Sequence, residues 1–79
     1  MTVNVLAFGI AKDIFGGSSI EIELNDADVR SLKVLLEERY ERLKNLKSYM
    51  VAVNNEYAAD DKPISATDEI AIIPPVSGG

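Results

Sequence analysis

The sequence predicts an α+β domain in which a mixed sheet of four to five strands wraps one main helix. Three observations carry this expectation. Two short stretches with alternating apolar residues open the chain. One long stretch free of glycine and proline follows, with apolar residues at spacings of three and four. Further short apolar runs bounded by turn residues close it. At 79 residues the chain has room for one domain and no second.

Val3 to Gly9 reads as a strand, with Val3, Val5 and Ala7 alternating with Asn4, Leu6 and Phe8. Both faces are apolar from Leu6 onward, as in a central strand or one whose outer face meets a partner. Ile10 to Ser19 ends in Gly16-Gly17-Ser18-Ser19 and is expected to be a hairpin loop of about ten residues. Ile20, Ile22 and Leu24 then alternate with Glu21 and Glu23, the pattern of a half-buried strand with a solvated face. Asp28 is placed to cap a helix, its carboxylate accepting a free N–H of the first turn. Val29, Leu32, Leu36, Tyr40 and Leu43 form one stripe with Leu35 beside them, so the helix is expected from Val29 to about Leu43. Arg39, Arg42, Lys44 and Lys47 gather at its far end, where the helix dipole favours cations.

Met50 to Asn54 reads as a short strand and Asn54-Asn55 as a turn, with Glu56 to Ala59 either a brief strand or a bend. Glu69 to Ile73 is an isoleucine-rich strand that Pro74-Pro75 ends, because proline cannot donate to a ladder. The order β-β-α-β-(β)-β is that of a β-grasp domain. The expected organisation is this domain over residues 1–75 and an extended Gly-Gly tail over residues 76–79.

Composition limits the chemistry. The chain has no Cys, His or Trp. Disulfides, zinc ribbons, iron–sulfur clusters and thiol nucleophiles are therefore excluded, as are the commonest general base and the commonest metal ligand. No self-contained active site is expected. With 8 Lys and Arg against 13 Asp and Glu, the formal net charge is −5. That balance argues against nucleic acid as a partner and suits either solubility or a basic partner surface. No stretch is long or apolar enough to span a membrane, and the N-terminus lacks the features of a signal peptide, so the expected location is the cytoplasm. Glu21/Glu23 and Glu37/Glu38/Glu41 read as solvated faces. Gly16-Gly17 is no phosphate cradle, since no Lys-Ser/Thr follows. Only five aromatics are present, and any found exposed points to a binding face.

The ending Pro74-Pro75-Val76-Ser77-Gly78-Gly79 is the most informative segment. A Gly-Gly pair at two given positions arises by chance about 0.5% of the time. Fully extended, this segment reaches at most about 20 Å. Glycines let another protein's active site close around the backbone and its carboxylate. Such a carboxylate can attack the α-phosphate of ATP, and a sulfur nucleophile can convert the acyl-adenylate to a thiocarboxylate. This chemistry needs no side chain from the carrier. The bland alternative is a frayed terminus.

Four segments together resemble the small subunit of molybdopterin synthase. They are Val5-Leu6-Ala7-Phe8-Gly9, the helix start Asp28-Val29-x-x-Leu32, Val51-Ala52-Val53-Asn54, and Asp68 through Gly79. Ala7 is smaller than the residue many members carry, and Gly9 is small as well. The resemblance implies a sulfur carrier of molybdenum cofactor biosynthesis, the sulfur-donor subunit of a transferase complex. It implies that Gly79 is adenylated and thiocarboxylated by an ATP-using activating enzyme. The tail Pro75, Val76, Ser77 and Gly78 then threads into a large-subunit pocket, and sulfur passes to cyclic pyranopterin monophosphate. No cofactor is permanently bound and no metal is held. The implied assembly is a heterotetramer, two small subunits at opposite ends of a large-subunit dimer. Phe8, Lys12 and Ile73 are its implied docking positions, although Phe8 and Ile73 also suit a plain core role and Lys12 a solvated charge. Two other readings stay open: a related carrier for thiamin synthesis, tRNA thiolation or protein conjugation, and a β-grasp interaction module with an inert tail.

Overall fold

In a computed structural model that describes residues 1–25, 27–46 and 48–74, alternation decides how the first strand sits. β1 (Thr2–Ala7) buries Val3, Val5 and Ala7 and turns Asn4 outward. β2 (Ser19–Glu23) lies antiparallel to it, with Val3 opposite Ile22 and Val5 opposite Ile20. β5 (Ile70–Ile73) lies parallel on its other side, Val5 opposite Ile70 and Ala7 opposite Ile72. β3 (Met50–Val53) and the two-residue β4 (Glu56–Tyr57) complete an order β2-β1-β5-β3-β4, both pairings antiparallel. The sheet is thus mixed and five-stranded, with the last strand in sequence next to the first. Asn54 and Asn55 join β3 to β4 at φ 53° and 68°. That two-residue left-handed turn matches strand twist, and asparagine tolerates it.

The connection from β1 to β2 differs from the expected loop. It contains a helix, α1 (Ile10–Phe15), that buries Ala11, Ile14 and Phe15. Those positions share one helical face, a signal that the neighbouring Gly-Gly-Ser-Ser concealed. Gly16 ends the helix at φ 79°, where its N–H and that of Gly17 both donate to the Lys12 carbonyl.

The main helix is shorter than expected. α2 (Val29–Arg39) stops at Tyr40, whose backbone is extended, and α3 (Glu41–Lys44) follows. The break sets the Tyr40 ring against Phe15, centroids 4.8 Å apart, while Leu43 is fully buried. The break falls at a tyrosine, a weaker helix former than the residues before it, and coincides with an aromatic pair between α1 and the corner that joins α2 to α3. At the other end Asp28 caps as expected, its Oδ1 accepting the Ser31 N–H at 2.8 Å. The Val29 and Arg30 N–H groups donate to the carbonyls of Lys62 and Asp60. The first three donors of the helix are therefore satisfied within the domain. Lys33 of α2 pairs with Asp60 at 2.8 Å, and the Tyr49 hydroxyl donates to Glu37. These contacts fasten the helix to the loops on either side of β3 and β4.

Val29, Leu32, Leu36 and Leu43 join Val3, Val5, Ile22, Val51, Val53, Ile70 and Ile72 in a single core. Helices thus cover one face of the sheet. Among the described residues no polar or charged side chain is buried.

Candidate functional site

The sheet face away from the helices is divided by chemistry. Near β2 it is polar. Asn4 stands opposite Glu21, and Thr2 opposite Glu23. The Thr2 hydroxyl donates to Glu23 Oε2 at 2.6 Å, and the terminal ammonium lies 3.3 Å from its other oxygen. That hydrogen bond first, and then the ammonium, hold the Glu23 carboxyl below the usual range. Toward β4 the same face is apolar. Register runs a row straight across four strands, from Leu6 to Ala71 to Ala52 to Tyr57. A second row sets Ile73 opposite Met50. Phe8 follows the Ala7–Ile72 pair and so stands level with Ile73.

Phe8 and Ile73 line one shallow concavity together with Leu6, Ala71, Ala52 and Tyr57, with Asn55 and Glu69 at its margin. Phe8 and Met50 are each 47% exposed and Tyr57 is 68% exposed. A domain this small buries its apolar side chains where it can, so several large ones left exposed on one face form a patch of the kind that interaction sites use. Phe8 lies outside the buried core and Ile73 is half-buried. Lys12 is exposed on α1 and does not line the concavity, so the structure brings two of the three positions together and leaves the third apart. Tyr57, like Phe8, is one of the five aromatics whose exposure was expected to point to a binding face, whereas sequence reasoning passed over Met50. The signal for Tyr57 was present: an aromatic in a strand too short to contribute much core.

Pro75, Val76, Ser77, Gly78 and Gly79 lie outside the described residues. Pro74, the last residue before them, leaves β5 at the end of the sheet where Phe8 leaves β1. The apolar concavity therefore adjoins the point from which the tail departs. Among the described residues no cluster of acidic side chains is arranged to hold a metal ion, and no helix is long and apolar enough to cross a membrane. What the arrangement offers is an exposed apolar face beside the point where the chain leaves β5.

The model of the ThiS family matches residues 5–79. A molybdopterin synthase sulfur carrier subunit from Dictyostelium discoideum is 39% identical, covering 96% of this chain and 94% of that protein. Among solved structures, SAMP1 from Haloferax volcanii superposes with a TM-score of 0.84 at 25% identity, over all of both chains. A chain in the complex of subunits 1 and 2 of molybdopterin-converting factor from Helicobacter pylori 26695 superposes at 0.71, 29% identical, again over all of both chains.

Proposed function

The chain belongs to the ThiS family, and from that premise we propose that it is the sulfur-carrier subunit of a molybdopterin synthase. The observation that carries this reading is the apolar outer face, with Phe8, Ile73, Tyr57 and Met50, set beside the exit of the Gly-Gly tail. A carrier needs both: a surface that docks and a chain end that reaches.

In this reading the Gly79 carboxylate attacks the α-phosphate of ATP on an activating enzyme, and pyrophosphate leaves. A sulfur nucleophile then displaces AMP to give the thiocarboxylate. The carrier docks on the large synthase subunit through the outer face, in a heterotetramer. Its tail, Pro75 to Gly78, enters the partner's pocket, and sulfur passes to cyclic pyranopterin monophosphate. The partner supplies every catalytic side chain, which accords with a chain that has no Cys and no His. A complex of the two converting-factor subunits among the similar structures supports the large subunit as partner. Nothing in this sequence of events involves nucleic acid or a membrane, and the cytoplasm is where we place it.

Intact mass spectrometry after incubation with ATP, sulfide and an activating enzyme tests the proposal. The full chain is expected to gain the mass of one oxygen-to-sulfur exchange, and a chain lacking Gly79 to gain nothing while keeping its fold. A full chain left unmodified under conditions that thiocarboxylate a known carrier would refute the reading. Supplying the large subunit and pterin substrate then separates this carrier from those of thiamin synthesis, tRNA thiolation or protein conjugation.

A further inference from the structure

β1 and β5 run in parallel with Ala7 opposite Ile72. Two residues further along each chain stand Gly9 and Pro74, at the same end of the sheet. Gly9 has φ 55° and ψ −132°, a combination essentially reserved for glycine. A Cβ on Gly9 would stand 3.2 Å from Cγ of Pro74, closer than side chains ordinarily approach. The proline ring therefore occupies the room a side chain would take. The turn beneath it is pinned by the Ala11 N–H on the Phe8 carbonyl at 3.0 Å and the Lys12 N–H on the Gly9 carbonyl at 3.1 Å. Pro74 has no N–H to extend the ladder, and a following proline restricts its ψ to extended values. Rotation about the end of β5 therefore sets the heading of the chain at Pro74, and the ring's seat on Gly9 limits it.

We propose that Gly9 is a positioning residue: its bare backbone seats the Pro74 ring and so sets the direction in which the C-terminal tail leaves the domain. Phe8, the docking residue, is its immediate neighbour, so the docked face and the launch point share one turn. The consequence for sulfur delivery rests on the carrier reading; the seat itself does not.

The test uses the full chain as Gly9→Ala, Pro74→Ala and the double variant. The protein has no cysteine, so Ser77→Cys takes a single nitroxide whose broadening of backbone amides reports the tail's direction. Gly9→Ala is expected to move the broadened amides to a different patch. Pro74→Ala should spread them, and the double variant should spread them as well, because removing the ring removes the contact, while the strain of alanine at φ 55° persists in both Gly9 variants and shows as a lower thermal midpoint. In sulfur transfer to the large subunit's substrate, Gly9→Ala should lower kcat about tenfold, as small misplacements of a reacting group do. KM for the carrier should stay within about threefold, because the outer face is intact, and the double variant should recover part of the loss, toward the Pro74→Ala rate. Broadening in Pro74→Ala identical to that of the parent would overturn the proposal, even if Gly9→Ala failed to fold. So would a Gly9→Ala displacement of the broadened amides that the double variant retains unchanged. If the parent accepts no sulfur while the broadening moves as expected, the carrier reading falls and the seat stands. If the parent transfers sulfur and neither variant alters kcat or the broadening, the seat falls and the carrier reading stands.

Discussion

Replacing Phe8 with alanine isolates the docking face from the fold. Phe8 is 47% exposed and sits outside the buried core. A phenylalanine presents about 200 Å², so about 90 Å² remains for a partner to cover. At about 25 cal/mol per Å², covering it contributes about 2 kcal/mol, or about thirtyfold in Kd. Titration calorimetry with the large synthase subunit measures this directly. Val34→Ala supplies the control, because Val34 is 54% exposed but lies on α2, on the opposite side of the sheet. It should leave Kd unchanged. Circular dichroism should be nearly the same for all three proteins. Phe8→Asp should weaken docking further, since it adds a charge to be desolvated. An affinity for Phe8→Ala within about threefold of the parent would remove the outer face from the interface. Loss of the folded signal would place Phe8 among the residues that hold the domain together.

Other consequences concern the fold. Leu36→Ala removes a fully buried side chain from the helix stripe and should cost about 2–5 kcal/mol in urea unfolding. Asp28→Ala loses the cap on Ser31 and should lower the thermal midpoint by a few degrees without changing the docking affinity. Asn54→Ala should destabilise the β3–β4 turn. It puts alanine at φ 53° and removes hydrogen bonds of 2.9 Å to Asp68 Oδ1 and from the Glu69 N–H. Acid should unfold the protein in a defined direction. Asp68 is held below its ordinary value of 3.8 by the Ser65 N–H and Asn54, and Asp28 by Ser31. Asp60 is held down likewise by Lys33. For groups so depressed the unfolded chain binds more protons. Their contribution is therefore complete above the ordinary value and lost as pH falls below it. Stability measured by denaturant titration should be flat from pH 7 to about 5 and decline below about 4. A decline beginning near neutrality would contradict this.

Much of the fold was legible because it is written in local periodicity. Ile22 between Glu21 and Glu23, and Leu32 and Leu36 on one stripe, declare which face is buried whatever lies against them. Asp28 declared the helix start because a cap needs only the next turn. α1 was missed although Ala11, Ile14 and Phe15 carry its pattern, because six residues beside two glycines give little local preference. The break at Tyr40 packs that ring against Phe15, distant in the chain, a contact invisible from the helix alone. The same division runs through the site. Phe8 and Ile73 were singled out by resemblance, while the place of Tyr57 and Met50 on the same face emerged only when strands from four parts of the chain were laid side by side.

By itself, then, the sequence determined the inward faces, the helix and its cap, and a chain whose chemistry has no thiol or imidazole. The tertiary structure decided that β5 returns beside β1 in parallel. That pairing brings Leu6 to Ala71, sets Phe8 level with Ile73 and seats Pro74 on Gly9. A period of two fixes which way each side chain points but carries no information about its neighbouring strand. Strand order follows from closing the whole core at once, and with it came the surface beside the tail.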